Sequence, residues 1–124
     1  MDRKICLDSD ILIELLNKNE VVGKAIESLE ADFYVTPISV FEVWYGRKEK
    51  ENISGLLESL HVLIFDRESA FLAADILREL EKNGNVVELK DIFIAAICVS
   101  NKIELMTNNI KHFERLKSFG LKLV

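Results

Sequence analysis

The chain has 124 residues, 49% hydrophobic and 30% charged, which suffices for one continuous core with a solvated surface and argues against a disordered protein. Its formal net charge of -5 argues against a protein that grips nucleic acid through a broadly basic face, while leaving room for an enzyme that touches nucleic acid briefly. Cys6 and Cys98 sit in apolar runs, as small buried residues of a reducing cytoplasm do, and no apolar run approaches the roughly 18 residues of a membrane span.

Ile5 to Leu7 is a short apolar run that reads as a buried central strand, reached from Met1 to Lys4 without the apolar stretch of a secretion signal. Ile11, Leu12, Leu15 and Leu16 then recur at helical spacing, and Asp10 is placed to cap that helix. A second helix over Val21, Val22, Ala25, Ile26 and Leu29 completes the crossover to a second strand, Asp32 to Thr36, which is aromatic and β-branched and stops at Pro37. Thr36-Pro37 starts a helix over Ile38 to Gly46, whose apolar stripe of Ile38, Phe41 and Tyr45 carries Glu42 on the expected core face. Trp44 and Tyr45 read as core or partner interface.

Arg47 to Glu51 is a run of mixed charge that predicts a solvated turn. A short helix over Ile53 to Leu60 leads to a third strand, Val62 to Phe65, ending at Asp66. Ala70, Phe71, Ala74, Ile76, Leu77 and Leu80 mark a long amphipathic helix that stops at Asn83-Gly84. From Asp91 to Val99 the pattern has no polar face after its first residue, which predicts a helix packed centrally on the sheet, with Ala95 and Ala96 allowing close approach. Ile103 to Met106 is a fourth strand, Ile110 to Leu116 a short helix, and Leu121 to Val124 a fifth strand.

Strands alternating with helices along the chain predict one α/β domain over residues 1–124 with a parallel sheet and right-handed crossovers. In such a sheet a site forms beyond the carboxyl ends of the strands, where the connections diverge. Three carboxylates have unusual positions there: Asp8 at the exit of the first strand, Glu42 on an apolar helical face, and Asp91 in the first turn of an apolar helix. Like charges gathered in a poorly solvated place raise one another's pKa or demand a cation. Oxygen donors without histidine or thiolate suit Mg²⁺ or Mn²⁺ better than Zn²⁺. Asp91 alone fits a first-turn acid as well as a ligand, and Glu42 could reach solvent at its helix edge. Asn109 fits both the cap of the following helix, with Thr107 closing the strand, and a substrate-positioning group. His112 reads as a surface residue.

The blocks Leu7 to Ile13, Ser39 to Gly46, Asp91 to Ala96 and Met106 to Phe113 together resemble the PIN-domain ribonucleases, and more narrowly the VapC-type toxins of toxin-antitoxin pairs. The resemblance spans nearly the whole chain, and the ordered set of blocks is what makes it specific. It implies a PIN-like three-layer fold with a central parallel five-stranded sheet, ordered 3-2-1-4-5 and flanked by helices. It implies a Mg²⁺- or Mn²⁺-dependent endoribonuclease that hydrolyses RNA, pairs as a homodimer and is inhibited by a cognate antitoxin; the lack of an apolar run of span length separately argues against a membrane partner. Asp8, Glu42 and Asp91 match the family's first three acidic positions, with Asp8 and Asp91 holding the metal and Glu42 joining directly or through water. Ser9 matches the small hydroxyl residue beside the first acid. The fourth position falls in the block from Thr107 to Phe113, which offers Asn109 or His112 in place of an acid. Rival readings are a haloacid-dehalogenase-like phosphotransferase, from Asp8-x-Asp10 after a strand, a receiver-like signalling domain with Asp66 as phosphoacceptor, and a catalytically degenerate PIN domain acting as a binding module.

Overall fold

The computed structural model describes residues 3–48 and 50–124, so Met1, Asp2 and Glu49 of the charged run lie outside the described residues. Its elements in chain order are β1 (Lys4–Leu7), α1 (Ser9–Leu16), α2 (Glu20–Ser28), β2 (Asp32–Val35), α3 (Pro37–Gly46), α4 (Lys50–Glu58), β3 (His61–Val62), α5 (Arg67–Lys82), α6 (Leu89–Ser100), β4 (Glu104–Met106) and α7 (Ile110–Glu114). The strands pair in parallel in the order β3-β2-β1-β4. The chain thus leaves β1 toward β2 and β3 on one side and returns to β4 on the other.

The central strand explains the two-sided packing. Ile5 and Leu7 point into a cluster with Ile11, Leu12, Val35, Val43 and Ile53, whereas Cys6 points to the opposite face with Ile76, Ile92, Ala95, Ile97 and Leu105. Side chains alternate along a strand, so a fully apolar strand requires helices on both faces. The long apolar helix α6 lies on the Cys6 face against α5, and its Ala95 and Ala96 are fully buried. Among the described residues no helix is long and apolar enough to cross a membrane.

Among the described residues the expected five-stranded sheet has four strands. Leu121 to Val124 contributes a single bridge, Leu123 beside Leu105, in which Leu105 N donates to Lys122 O at 2.8 Å and Val124 N donates to Leu105 O at 3.0 Å. In a parallel strand alternate residues direct their N–H and C=O to opposite sides. β4 has three residues, and Met106 O is turned toward β1, where it accepts from Asp8 N. Only the middle residue of β4 is left to face outward.

β3 is likewise shorter than expected. Leu63 N still donates to Val35 O, but the partner strand ends there at Thr36-Pro37, and the chain departs toward α5 with Ile64 exposed. The charged run is only partly a turn, since α4 already starts at Lys50, and α7 stops at Glu114 rather than Leu116.

Two side-chain expectations also change. Phe41 and Tyr45 lie at the surface, stacked on each other with centroids 5.7 Å apart, and α3 instead buries Ser39 and Val43. This helix is apolar nearly all round, so its periodicity does not choose a face. Trp44 is also exposed, covered on one side by the Lys50 ammonium 4.4 Å from its ring centroid.

Candidate active site

β1 does not end at Leu7 in hydrogen-bonding terms, because Asp8 N continues the ladder to Met106 O at 3.0 Å. This register sets Asp8 beside Thr107 at the carboxyl ends of the two central strands, at the point where the connections diverge. Asp8 is extended at φ -72 and ψ 161, and its carbonyl accepts from Ile11 N and Leu12 N. Its carboxylate Oδ1 accepts from Ser9 N at 2.8 Å, so Asp8, and not Asp10, is the cap of α1. The other oxygen, Oδ2, accepts from the Thr107 hydroxyl at 2.7 Å.

Asp10 has a different task from the expected cap. Its Oδ2 accepts from Asn108 N at 2.9 Å and lies 3.4 Å from Thr107 Oγ1, which ties the start of α1 to the loop after β4. Among the described residues its second oxygen is buried without a hydrogen bond of good geometry, with the Ile11 N–H as its weak neighbour. Ser9 serves Asp8 through its backbone N–H. Thr107 is the hub of the loop: buried at 8% exposure, it donates to Asp8 and accepts from Asn109 N at 3.0 Å.

Asp8 is 4% exposed, and burial pushes its carboxyl up to about 6, with the charges of Asp10 and Asp91 adding to the rise and the Thr107 and Ser9 bonds opposing it. Asp10 is raised chiefly by burial, against the Asn108 bond. Asp91 in the first turn of α6 is 5% exposed and raised by burial and by the Glu88 charge, with His112 opposing. The Asp91 charge thus reaches Asp8, as the smallest of the causes acting on it.

Glu42 does not complete a tight triad. Its Oε2 is 2.9 Å from Lys90 Nζ, and Lys90 also reaches Glu88 at 3.6 Å. Among the described residues no three His, Cys, Asp or Glu side chains converge as a metal-holding group. The donors nevertheless fit a hard divalent cation in kind: Asp8, Asp10 and Asp91 are carboxylates whose pKa values are raised first of all by burial.

His112, expected at the surface, is half exposed yet sets Nδ1 3.3 Å from Asp91 Oδ2. Asn109 is exposed and occupies the cap position of α7 by its backbone, with no side-chain cap bond. A cleft of about 240 Å³ opens beside Asp91, lined by Val86, Val87, Glu88, His112 and Arg115. The sequence reading missed Lys90 and the contact of His112. Lys90 directly precedes a singled-out acid, and that adjacency was the available signal; the His112 contact joins residues 21 positions apart and had none. Asp66, the receiver-type candidate, is spent on capping α5, accepting from Ser69 N at 2.9 Å and from Ser69 Oγ at 2.8 Å.

Residues 5–118 match the PIN domain. Ribonuclease VapC1 of Methanocaldococcus jannaschii is 31% identical over 125 residues, covering 98% of this chain and 88% of that protein. Among solved structures, a chain of VapBC2 from Rickettsia felis, bound to a DNA fragment from their promoter, superposes with a TM-score of 0.86 at 26% identity, covering 98% of this chain and 97% of that one. A chain of DNA-bound VapBC from Salmonella typhimurium gives 0.82 at 25% identity, covering 98% and 97%.

Proposed function

The chain belongs to the PIN domain family, and from that premise we propose that it is the endoribonuclease toxin of a toxin-antitoxin pair, hydrolysing RNA phosphodiester bonds with Mg²⁺ or Mn²⁺. The observation that carries the reading is Asp8, a buried carboxylate at the junction of β1 and β4, raised to about 6 and flanked by two further acids. A site that holds negative charge out of water in this way is stabilised by a cation.

In this reading Asp8 and Asp91 hold the ion, and Glu42 joins them directly or through water. The bound ion supplies Lewis-acid polarisation of the scissile phosphate and neutralises the charge that develops on it. Thr107 and Ser9 fix the Asp8 carboxylate through their hydrogen bonds. Asn109, exposed beside this loop, orients the RNA, and His112 steadies Asp91. Residues 1–124 act as one PIN-like unit in the cytoplasm, paired as a homodimer and inhibited by a cognate antitoxin. The relatives named ribonucleases and the VapBC complexes support the toxin assignment.

The test is cleavage of a mixed RNA substrate with Mg²⁺ or Mn²⁺, with EDTA, and with Asp8→Asn. We expect cleavage in the presence of either ion, none with EDTA, and a loss of at least about 100-fold in the variant, since a ligand and a transition-state charge are removed together. Undiminished cleavage by Asp8→Asn would sink the site assignment. A second reading, a binding module without catalysis, is favoured by the engagement of Glu42 with Lys90, and complete absence of cleavage with antitoxin binding retained would select it.

A further inference from the structure

Where α3 meets α6, the Lys90 ammonium reaches Glu42 of α3 and Glu88 before α6, and it also feels the charge of Asp91. Lys90 and Asp91 are consecutive on α6, so their side chains diverge by about 100° around the helix axis. Asp91 turns inward toward the strand ends, and Lys90 reaches across to α3. Its Nζ is 2.9 Å from Glu42 Oε2 and 3.6 Å from Glu88 Oε2, and its charge also acts on Asp91. The Lys90 side chain is 49% exposed and that of Glu42 22%, so the pair lies at the rim of the site and can open without unfolding the helix.

We propose that Lys90 is a built-in counter-cation that competes with the divalent ion for Glu42. The inference rests on the metal-nuclease reading above and adds to it a positioning residue. In the ion-free protein the ammonium neutralises the carboxylate that a divalent ion needs to recruit. An ion approaching Asp8 and Asp91 meets a like charge at the third acid, and Glu42 joins it only after its bond to Lys90 breaks. Ion loading is thereby coupled to a side-chain exchange between α3 and α6, and the chain's own lysine sets the ion concentration at which that exchange occurs. Because Glu88, at the cap position before α6, also faces Lys90, the displaced ammonium keeps a partner close by and does not have to leave the site.

The test is calorimetric titration of Mn²⁺ into the full chain and its Lys90→Met and Lys90→Arg variants at one pH and ionic strength. Unfolding midpoints in EDTA establish that each variant is folded, and Lys90→Gln replaces Lys90→Met should that protein not fold. Removing the ammonium is expected to tighten Mn²⁺ binding roughly three- to tenfold, the scale on which a half-exposed ion pair and a neighbouring like charge act. Lys90→Arg is expected to return the affinity to the wild-type value, and adding Glu42→Gln to Lys90→Met is expected to abolish the gain. A merely structural role for Lys90 would not give rescue by arginine in metal affinity. Unchanged or weaker binding by Lys90→Met overturns the proposal while leaving the nuclease reading in place. If neither wild type nor Lys90→Met binds Mn²⁺, the metal-nuclease reading falls and this inference with it.

Discussion

Asp8 performs three jobs, one with its backbone and two with its carboxyl group. Its backbone extends the β1 ladder by one bond, Oδ1 starts α1, and Oδ2 receives the Thr107 hydroxyl. The Thr107 bond is the one that only tertiary structure could supply, because the two residues are 99 positions apart. It also works against burial, since donation to the carboxylate favours the charged form. Thr107→Val leaves the buried Oδ2 without its donor and Asn109 N without its acceptor. We expect a loss of roughly 1–3 kcal/mol in a urea titration at pH 7 and a further rise of the Asp8 pKa. A stability unchanged within about 0.3 kcal/mol would show that solvent replaces the hydroxyl. At this scale Asp8 and Asp91 could be singled out from sequence because each interrupts an apolar pattern. Glu42 was singled out on the same ground, but its engagement with Lys90 depends on how α3 and α6 meet.

Elements begin and end here largely on local signals. Asp8, Asn19, Thr36 and Asp66 each precede a helix and accept from its first free N–H groups, so four of the helix starts are written in single polar residues. Asp8 and Asp10 mark the limit of that logic: both residue types are good caps, and the strand register keeps Asp8 extended as the cap of α1. Asp66 is an instructive comparison, being exposed and held below the usual carboxylate range by its bonds to Ser69. Asp66→Ala is expected to lower the denaturation midpoint, with RNA cleavage unchanged. A loss of cleavage at undiminished stability would return Asp66 to a functional role. Element lengths were less legible than element identities. β3 and the segment after Gly120 are truncated by what their neighbours offer, a proline start on one side and a three-residue β4 on the other.

For the whole molecule, the cost of the site should appear as a pH dependence. Asp8 titrates near 3.8 when unfolded and near 6 when folded, so the folded state binds that proton more tightly. Stability is then highest at low pH for this group and falls as pH rises from 4 to 6, by about 3 kcal/mol if Asp8 alone is counted. In EDTA the difference in unfolding free energy between Asp8→Asn and wild type should therefore move in favour of the variant across that window. Mn²⁺ is expected to raise the wild-type midpoint above pH 6 and to do little near pH 4, where the carboxyl is protonated. A difference that stays flat from pH 4 to 7 would contradict the burial of a charged Asp8.

The alternating pattern of apolar strands and amphipathic helices by itself determined the α/β class, the centrality of the first strand and the order of most elements, because periodicity and caps act over a few residues. It also marked the acids that have no solvent-side explanation. Only the tertiary structure decided which face α3 buries, that four strands rather than five are formed, that His112 rests on Asp91, and that Glu42 is held by Lys90. Those outcomes depend on distances between residues far apart in the chain, set by strand register and by the packing of α3 on α6, and no local spacing encodes them.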